Sequence, residues 1–141
     1  MRAFHVAKAR AKNCEVLDDL TMDELRVAYR FAQKRGCVYC GEKIGDDFSV
    51  DHVIPMSKGA HNSFWNIVVC HEKCNYRKHN KPASKFASKE KMDEIIFDMI
   101  IRSPYHEEAI TNFLSTGEFI SSEDGKALRD IEDRGKVTKD G

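Results

Sequence analysis

Two cysteine clusters, and a run of acid, imidazole and amide residues between and after them, carry the chemistry this chain could perform. Cys37-Val38-Tyr39-Cys40-Gly41 reads as a metal-binding turn. Two thiolates with two residues between them reach one ion, because the turn brings both sulfurs to the same side. A second cluster, Cys70-His71-Glu72-Lys73-Cys74, lies further along the chain. Zinc takes four sulfur or nitrogen ligands in a tetrahedron, so the second cluster would supply the remaining two. Cys74 is one of them. The other is Cys70 or His71: both geometries are open, and the spacing of the first pair favours His71 slightly. Such a clamp stabilises a small fold and holds the loop between its halves.

Inside the clamp lies Ser49-Val50-Asp51-His52-Val53-Ile54-Pro55. Asp51 and His52 are neighbours on a predicted strand, so they point to different faces unless the strand bends. One group can then hold a cation while the other works on a water. Asn66 and Asn75 follow. Asn75 and His79 stand at i and i+4 on a predicted helix and share one face, where an amide oxygen and an imidazole could join Asp51 around one divalent ion.

The elements that must position these groups are legible to different degrees. A helix is predicted over residues 22–34, with Thr21 as cap and Glu24 closing a capping box. Leu25, Ala28, Tyr29 and Ala32 form its apolar face, and Gly36 can end it. Before it, Ala3, Ala7, Ala9 and Ala11 permit a helix without demanding one. Residues 48–54 read as a strand stopped by Pro55, residues 57–63 as a polar loop, and residues 65–69 as a short turn or strand. A short helix is predicted over 72–80, broken near Pro82. Beyond residue 83 the chain turns helical: Met92, Ile95, Ile96, Met99 and Ile100 form one packing stripe, and Ile110, Phe113 and Leu114 another that stops near Gly117. A weak last helix is predicted over 123–133, and a mobile tail after Gly135. The expected division is an N-terminal helical segment (1–36), a core (37–82) and a helical C-terminal extension with a flexible tail (83–141).

Composition sets the limits. The chain has 141 residues, 41% hydrophobic and 33% charged. This suits one compact domain, or a small domain with an extension. No apolar run is long enough to span a bilayer, and the first residues lack the apolar core of a secretion signal. The expected compartment is therefore the cytosol, where thiols stay reduced and clustered cysteines point to metal rather than disulfides. Cys14 stands apart and reads as a buried thiol. Net charge is zero, but residues 1–82 hold 14 Lys/Arg against 10 Asp/Glu, and residues 83–141 hold 9 against 13. The mildly basic first part is compatible with local nucleic-acid binding.

As a set, Cys37-x-x-Cys40, Asp51-His52-Val53-Ile54-Pro55, Ser57-Lys58-Gly59, Asn66 and Cys74-Asn75-x-x-Lys78 resemble the HNH endonuclease motif over about residues 37–82. The resemblance implies an α+β fold: a zinc-stapled ββα-metal (HNH, His-Me finger) core with flanking α-helices. It also implies an enzyme, a metal-dependent endonuclease that hydrolyses DNA phosphodiester bonds and leaves a 5′-phosphate and a 3′-hydroxyl. On the matching positions, His52 is the general base that deprotonates the attacking water, and Asp51 ligates the catalytic ion. Asn66 is the motif asparagine whose side chain fixes the loop that orients the histidine. Asn75 ligates the same ion, and His79 matches a ligand used only in some branches. The family register likewise favours His71 over Cys70 in a zinc set with Cys37, Cys40 and Cys74. The chain departs from the pattern at His61, where small residues are common and which reads as solvated, and at the extra Cys70. His5 and His106 receive no role.

The implied cofactors are structural Zn²⁺ and catalytic Mg²⁺ or Mn²⁺. Ni²⁺ or Zn²⁺ becomes more competitive at the catalytic site if His79 binds. Lys58, Arg77 and Lys78 are the expected phosphate contacts, helped by Lys73 and Lys81. DNA is the expected partner, RNA is less favoured, and no membrane is involved. A homodimer, or docking to a DNA-processing complex through the C-terminal helices, stays open, as does a host cytosol if the protein is viral. The alternative is a zinc-stabilised nucleic-acid-binding module without catalysis, which has no use for Asp51, His52 and Asn75 at their spacing. A weaker alternative is an adaptor that binds protein through its acidic helical half.

Overall fold

A computed structural model describes residues 2–78 and 83–120. His79, Lys81, the helix predicted over 123–133 and the tail after Gly135 lie outside the described residues. The elements run α1 (Arg2–Cys14), α2 (Met22–Arg35), β1 (Phe48–His52), β2 (Ile67–His71), α3 (Glu72–Lys78), α4 (Ala83–Phe86), α5 (Lys89–Arg102) and α6 (Glu107–Thr116). Short 3₁₀ turns stand at Met56–Lys58, Phe64–Asn66 and Pro104–His106. No described helix is long and apolar enough to cross a membrane.

The architecture is α+β, with a small antiparallel sheet of β1 and β2 followed directly by α3. The register pairs Phe48 with His71, Ser49 with Cys70, Val50 with Val69, Asp51 with Val68 and His52 with Ile67. Because side chains alternate, Ser49, Asp51 and Cys70 share one face, while Phe48, Val50, His52 and His71 share the other. α3 packs on the first face, where Asn75 meets Ser49 and Lys78 meets Asp51. α1 contacts β1 and α2 contacts β2, and Tyr29 of α2 packs on Phe48 with ring centroids 4.5 Å apart.

Local chemistry explains the best-defined elements. Thr21 accepts from the Glu24 amide while the Glu24 carboxylate accepts from the Thr21 amide, which is the expected capping box. It satisfies two otherwise unpaired donors of the first turn. At the other end, Gly36 takes φ +95°, and a Cβ there would collide with the Gly41 carbonyl. Only glycine lets α2 stop this close to the cysteine turn.

A continuous apolar core runs from Leu20 through Ile44, Ile54, Ile67 and Ile95 to Phe113. The stripe predicted on α5 buries Met92, Ile95 and Met99 in it. Arg102 adds a polar lock. Its guanidinium donates to the Phe64 and Ile67 carbonyls, both at 3.0 Å, and lies 4.5 Å from the centre of the Phe64 ring.

Two sequence expectations about exposure are corrected. Cys14 is exposed, because α1 buries only Ala7 and Ala11. His61 is 4% exposed rather than solvated. It sits edge-on to nearby Trp65 and to His106 and Phe119, which come from far along the chain, in an aromatic cluster. His106, which received no role, stacks on Trp65 at 4.5 Å and is buried.

Burial and the neighbouring His61 push the His106 imidazole down to about 4. Its folded pKa thus lies below the unfolded value of about 6.5, so the unfolded chain binds more protons between these values and stability falls as pH drops through that window. The melting temperature should decline from pH 6.5 to 4, and His106→Phe should make that decline shallower. An unchanged slope would mean that this imidazole is not what acid attacks.

Candidate metal centre and active-site cleft

Cys37 and Cys40 come from the turn after α2, His71 from the last position of β2 and Cys74 from α3. Their sulfurs and one ring nitrogen all lie within 4.8 Å of one another. His71 Nδ1 is 3.2 Å from Cys40 Sγ and 4.0 Å from Cys74 Sγ. A tetrahedral zinc with bonds of about 2.3 Å to sulfur and 2.0 Å to nitrogen needs donor separations of roughly 3.5–3.8 Å, so the cage has the right size. The four groups could hold a metal ion such as zinc. The other ring nitrogen, His71 Nε2, lies 2.8 Å from the Lys43 carbonyl. A carbonyl can only accept, so Nε2 carries the proton and Nδ1 turns its lone pair to the cage.

The choice between Cys70 and His71 follows from the register. Adjacent strand residues face opposite ways, and Cys70 points to the other face, with its thiol 3.8 Å from the Ser49 carbonyl. Burial pushes the Cys70 thiol well up, reinforced by the nearby Asp51 charge. Burial also acts to raise Cys37, but amides of Cys40, His71 and Tyr39 directed at its sulfur outweigh this and bring it down to about 7. Cys74 is pushed up to about 11 by burial and by the neighbouring cysteine charges. This crowding of sulfurs around a thiolate is a donor set suited to a cation.

The expected catalytic residues are arranged along β1 and on the side of α3 that packs against it. Asn75, half-buried, donates from Nδ2 to Ser49 Oγ at 2.9 Å, which leaves its amide oxygen as the atom able to ligate. Asp51 is 8% exposed. It accepts from the Tyr39 hydroxyl, and Lys78 Nζ lies 3.3 Å from Oδ1 and 3.1 Å from Oδ2. A carboxylate offers about four lone-pair directions, so room for one further partner remains on Oδ1. Burial and the Asp51 charge push the Tyr39 phenol strongly up, which keeps it a proton donor. Lys78, expected at a phosphate, is instead 2% exposed and spans α3 to β1 as the Asp51 counter-ion. Arg77 is exposed but turns a guanidinium nitrogen to Cys74 Sγ at 3.4 Å. Lys58 is exposed at the end of its 3₁₀ turn.

His52 is 6% exposed, with Nε2 held 2.8 Å from the Asn62 amide oxygen. Burial lowers its pKa from the ordinary imidazole value, opposed by the Asn62 hydrogen bond and the Asp51 charge, so the ring stays neutral near pH 7. The loop beyond it is pinned by Asn66, which is fully buried. Its side chain accepts from the Ile54 amide at 2.9 Å and donates to the carbonyls of Ile54 at 2.9 Å and His61 at 3.0 Å.

β1 has one unpaired edge, and a cleft of about 250 Å³ runs along it between α1 and α3. His52 and Ser49 of β1, Asn75 of α3 and Arg2 and Arg10 of α1 line it. The structure thus brings His52 and Asn75 to one cavity, while Asp51 faces Lys78 and Tyr39 beside it. Sequence reasoning missed Tyr39, Asn62, Arg2 and Arg10. Tyr39 was visible only as a spacer in the cysteine turn. Asn62 lay in a polar loop, and the α1 arginines lay in a segment whose helical pattern was weak.

Comparison with known proteins agrees with this geometry. No curated protein and no solved structure matches the chain. Residues 37–84 match the family model described as HNH endonuclease. The matched segment is the one that folds into the cysteine turn, the two strands and α3 and carries the cage of three thiols and an imidazole, so the HNH endonuclease likeness and the metal site coincide.

Proposed function

We propose that this protein is a metal-dependent endonuclease that hydrolyses phosphodiester bonds of DNA, with His52 as general base. What carries the reading is the pairing of His52 and Asn75 in one cleft, with the imidazole neutral and its Nε2 already engaged. The Asn62 oxygen can only accept, so His52 Nε2 bears the proton and Nδ1 keeps the lone pair that takes a proton from water. Asn66 keeps the loop in register by gripping the backbone on both sides of it. Asp51 and Asn75 offer hard oxygens that would hold a Mg²⁺-like ion, and such an ion supplies charge stabilisation at the phosphoryl group and at the leaving 3′ oxygen. Lys78 and Tyr39 hold the Asp51 carboxylate in place beside the cleft. Arg2, Arg10 and Lys58 are the exposed cations suited to backbone phosphates, and such contacts position a strand without reading its sequence. The cysteine cage, loaded with zinc, has a structural role, since it has four protein donors and no open position.

Incubation with supercoiled plasmid in Mg²⁺ or Mn²⁺ should give open-circular or linear product with 5′-phosphate and 3′-hydroxyl ends. Binding to the plasmid without any nick across divalent ions would reduce the protein to a zinc-stabilised nucleic-acid-binding module.

A further inference from the structure

We infer that Asp18 is a positioning residue for His52, acting through the Asn62 side chain, so that the site in the family segment is completed by the chain that precedes it. The inference rests on the nuclease reading above for its catalytic consequence, but its structural part stands alone. Asn62 is fully buried. Its Nδ2 donates to Asp18 Oδ1 at 2.9 Å, and its Oδ1 lies 2.8 Å from His52 Nε2. Lys8 of α1 meets the same Asp18 oxygen at 2.7 Å.

The logic of the chain is directional. An ionised carboxylate accepts hydrogen bonds and donates none. Asp18 therefore fixes which end of the Asn62 amide faces it, namely the nitrogen. The amide oxygen must then face His52, and the ring nitrogen that meets an oxygen must carry the proton. A charge outside the motif thus dictates the tautomer of the general base and leaves Nδ1 as the proton acceptor. The backbone supports the same contact. The amides of Asp19 and Leu20 donate to the Asn62 carbonyl at 3.2 and 3.0 Å, and the Asn62 amide donates to the Leu17 carbonyl at 2.9 Å. None of these bonds uses the Asp18 side chain, so the fold has an anchor that survives its removal.

Without the carboxylate, the two ends of the amide become interchangeable. A flipped Asn62 would present its NH₂ to Nε2 and stabilise the tautomer protonated on Nδ1, in which Nδ1 cannot act as a base. Triads show how much this matters: a base held in the wrong tautomer costs up to about 10⁴ in kcat.

The test reads the tautomer directly, from ¹⁵N chemical shifts of the His52 ring at neutral pH in the 141-residue chain. The wild type should show the Nε2-protonated form, and Nδ1 protonation there would overturn the inference before any variant is made. Asp18→Ala should shift the ring to a mixture and lower kcat by about tenfold or more, with KM, zinc content and melting temperature little changed. Asp18→Asn, which can still accept through its own amide oxygen, should restore both readouts towards wild type. An unchanged tautomer and kcat in Asp18→Ala would overturn the inference while leaving the nuclease reading intact. A shifted tautomer in a protein whose wild type cuts no DNA would uphold the Asp18 link and remove the nuclease instead.

Discussion

His52→Ala should lower the cleavage rate by about 10²- to 10⁴-fold, the range that a positioned general base supplies. Under the proposed mechanism the loss should appear in kcat, because the substituted group would act on the water and not on the bound strand. His52 is buried, and alanine leaves the Asn62 oxygen without its donor, a cost of about 1–3 kcal/mol. The β1–β2 pairing, the cysteine cage and the Asn66 bonds do not depend on the imidazole, so the variant should fold and retain its zinc. His52→Gln offers a side-chain N–H that can reach Asn62, and so separates lost packing from lost base chemistry. It should be as inactive as the alanine variant and more stable. Undiminished cleavage by His52→Ala would remove the assignment of the base.

The second large effect concerns the metal cage. His71→Ala or Cys74→Ser should release zinc and unfold the core, whereas Cys70→Ser should keep one zinc per chain. Structural zinc contributes an apparent free energy on the order of 10 kcal/mol in small metal-dependent folds, comparable with the whole stability of an ordinary domain. The cage joins the turn after α2, the end of β2 and α3, so its loss frees both flanks of the sheet together. Metal analysis of purified variants, paired with circular dichroism, checks this. Zinc retained by His71→Ala but lost by Cys70→Ser would reverse the ligand assignment. Graded chelation adds a separation of roles: mild EDTA should stop cleavage while the circular dichroism is still native, since the cleft would release its ion more readily than a closed cage of four ligands.

The parts of the fold that were readable are those in which local chemistry suffices. The Thr21–Glu24 capping box places α2 almost to the residue, and the strand begins at Phe48 as predicted but ends at His52, short of the expected stop at Pro55. The apolar stripe of α5 appears where helical spacing puts it. The rest depends on contacts between distant residues. Spacing alone left Cys70 and His71 open, because both are near enough to Cys74; the pairing of His71 with Phe48 decides which of them faces the cage. Lys78 read as a surface cation because nothing local tells which face of a short helix meets a strand. Once Asn75 sits on Ser49, Lys78 at i+3 must fall over Asp51. His61 reads as solvated because two of its aromatic partners, His106 and Phe119, reach it only through the packing of the C-terminal helices. The neighbour that sets the protonation of His52 comes from a loop ten residues on, and the carboxylate behind it from before α2. No periodicity could announce either.

Arg102 lies well beyond the family segment, yet its two bonds close the carbonyls on either side of the motif asparagine. The recognisable module is therefore not a cassette that could be grafted alone onto another host. Lifted out at its sequence boundaries, it would lose both of these bonds and the packing of α5 at the bend that keeps Asn66 in register. Helices in this position behave less as an appendage than as the outer wall of a mould, since α5 braces a turn far from it in the chain.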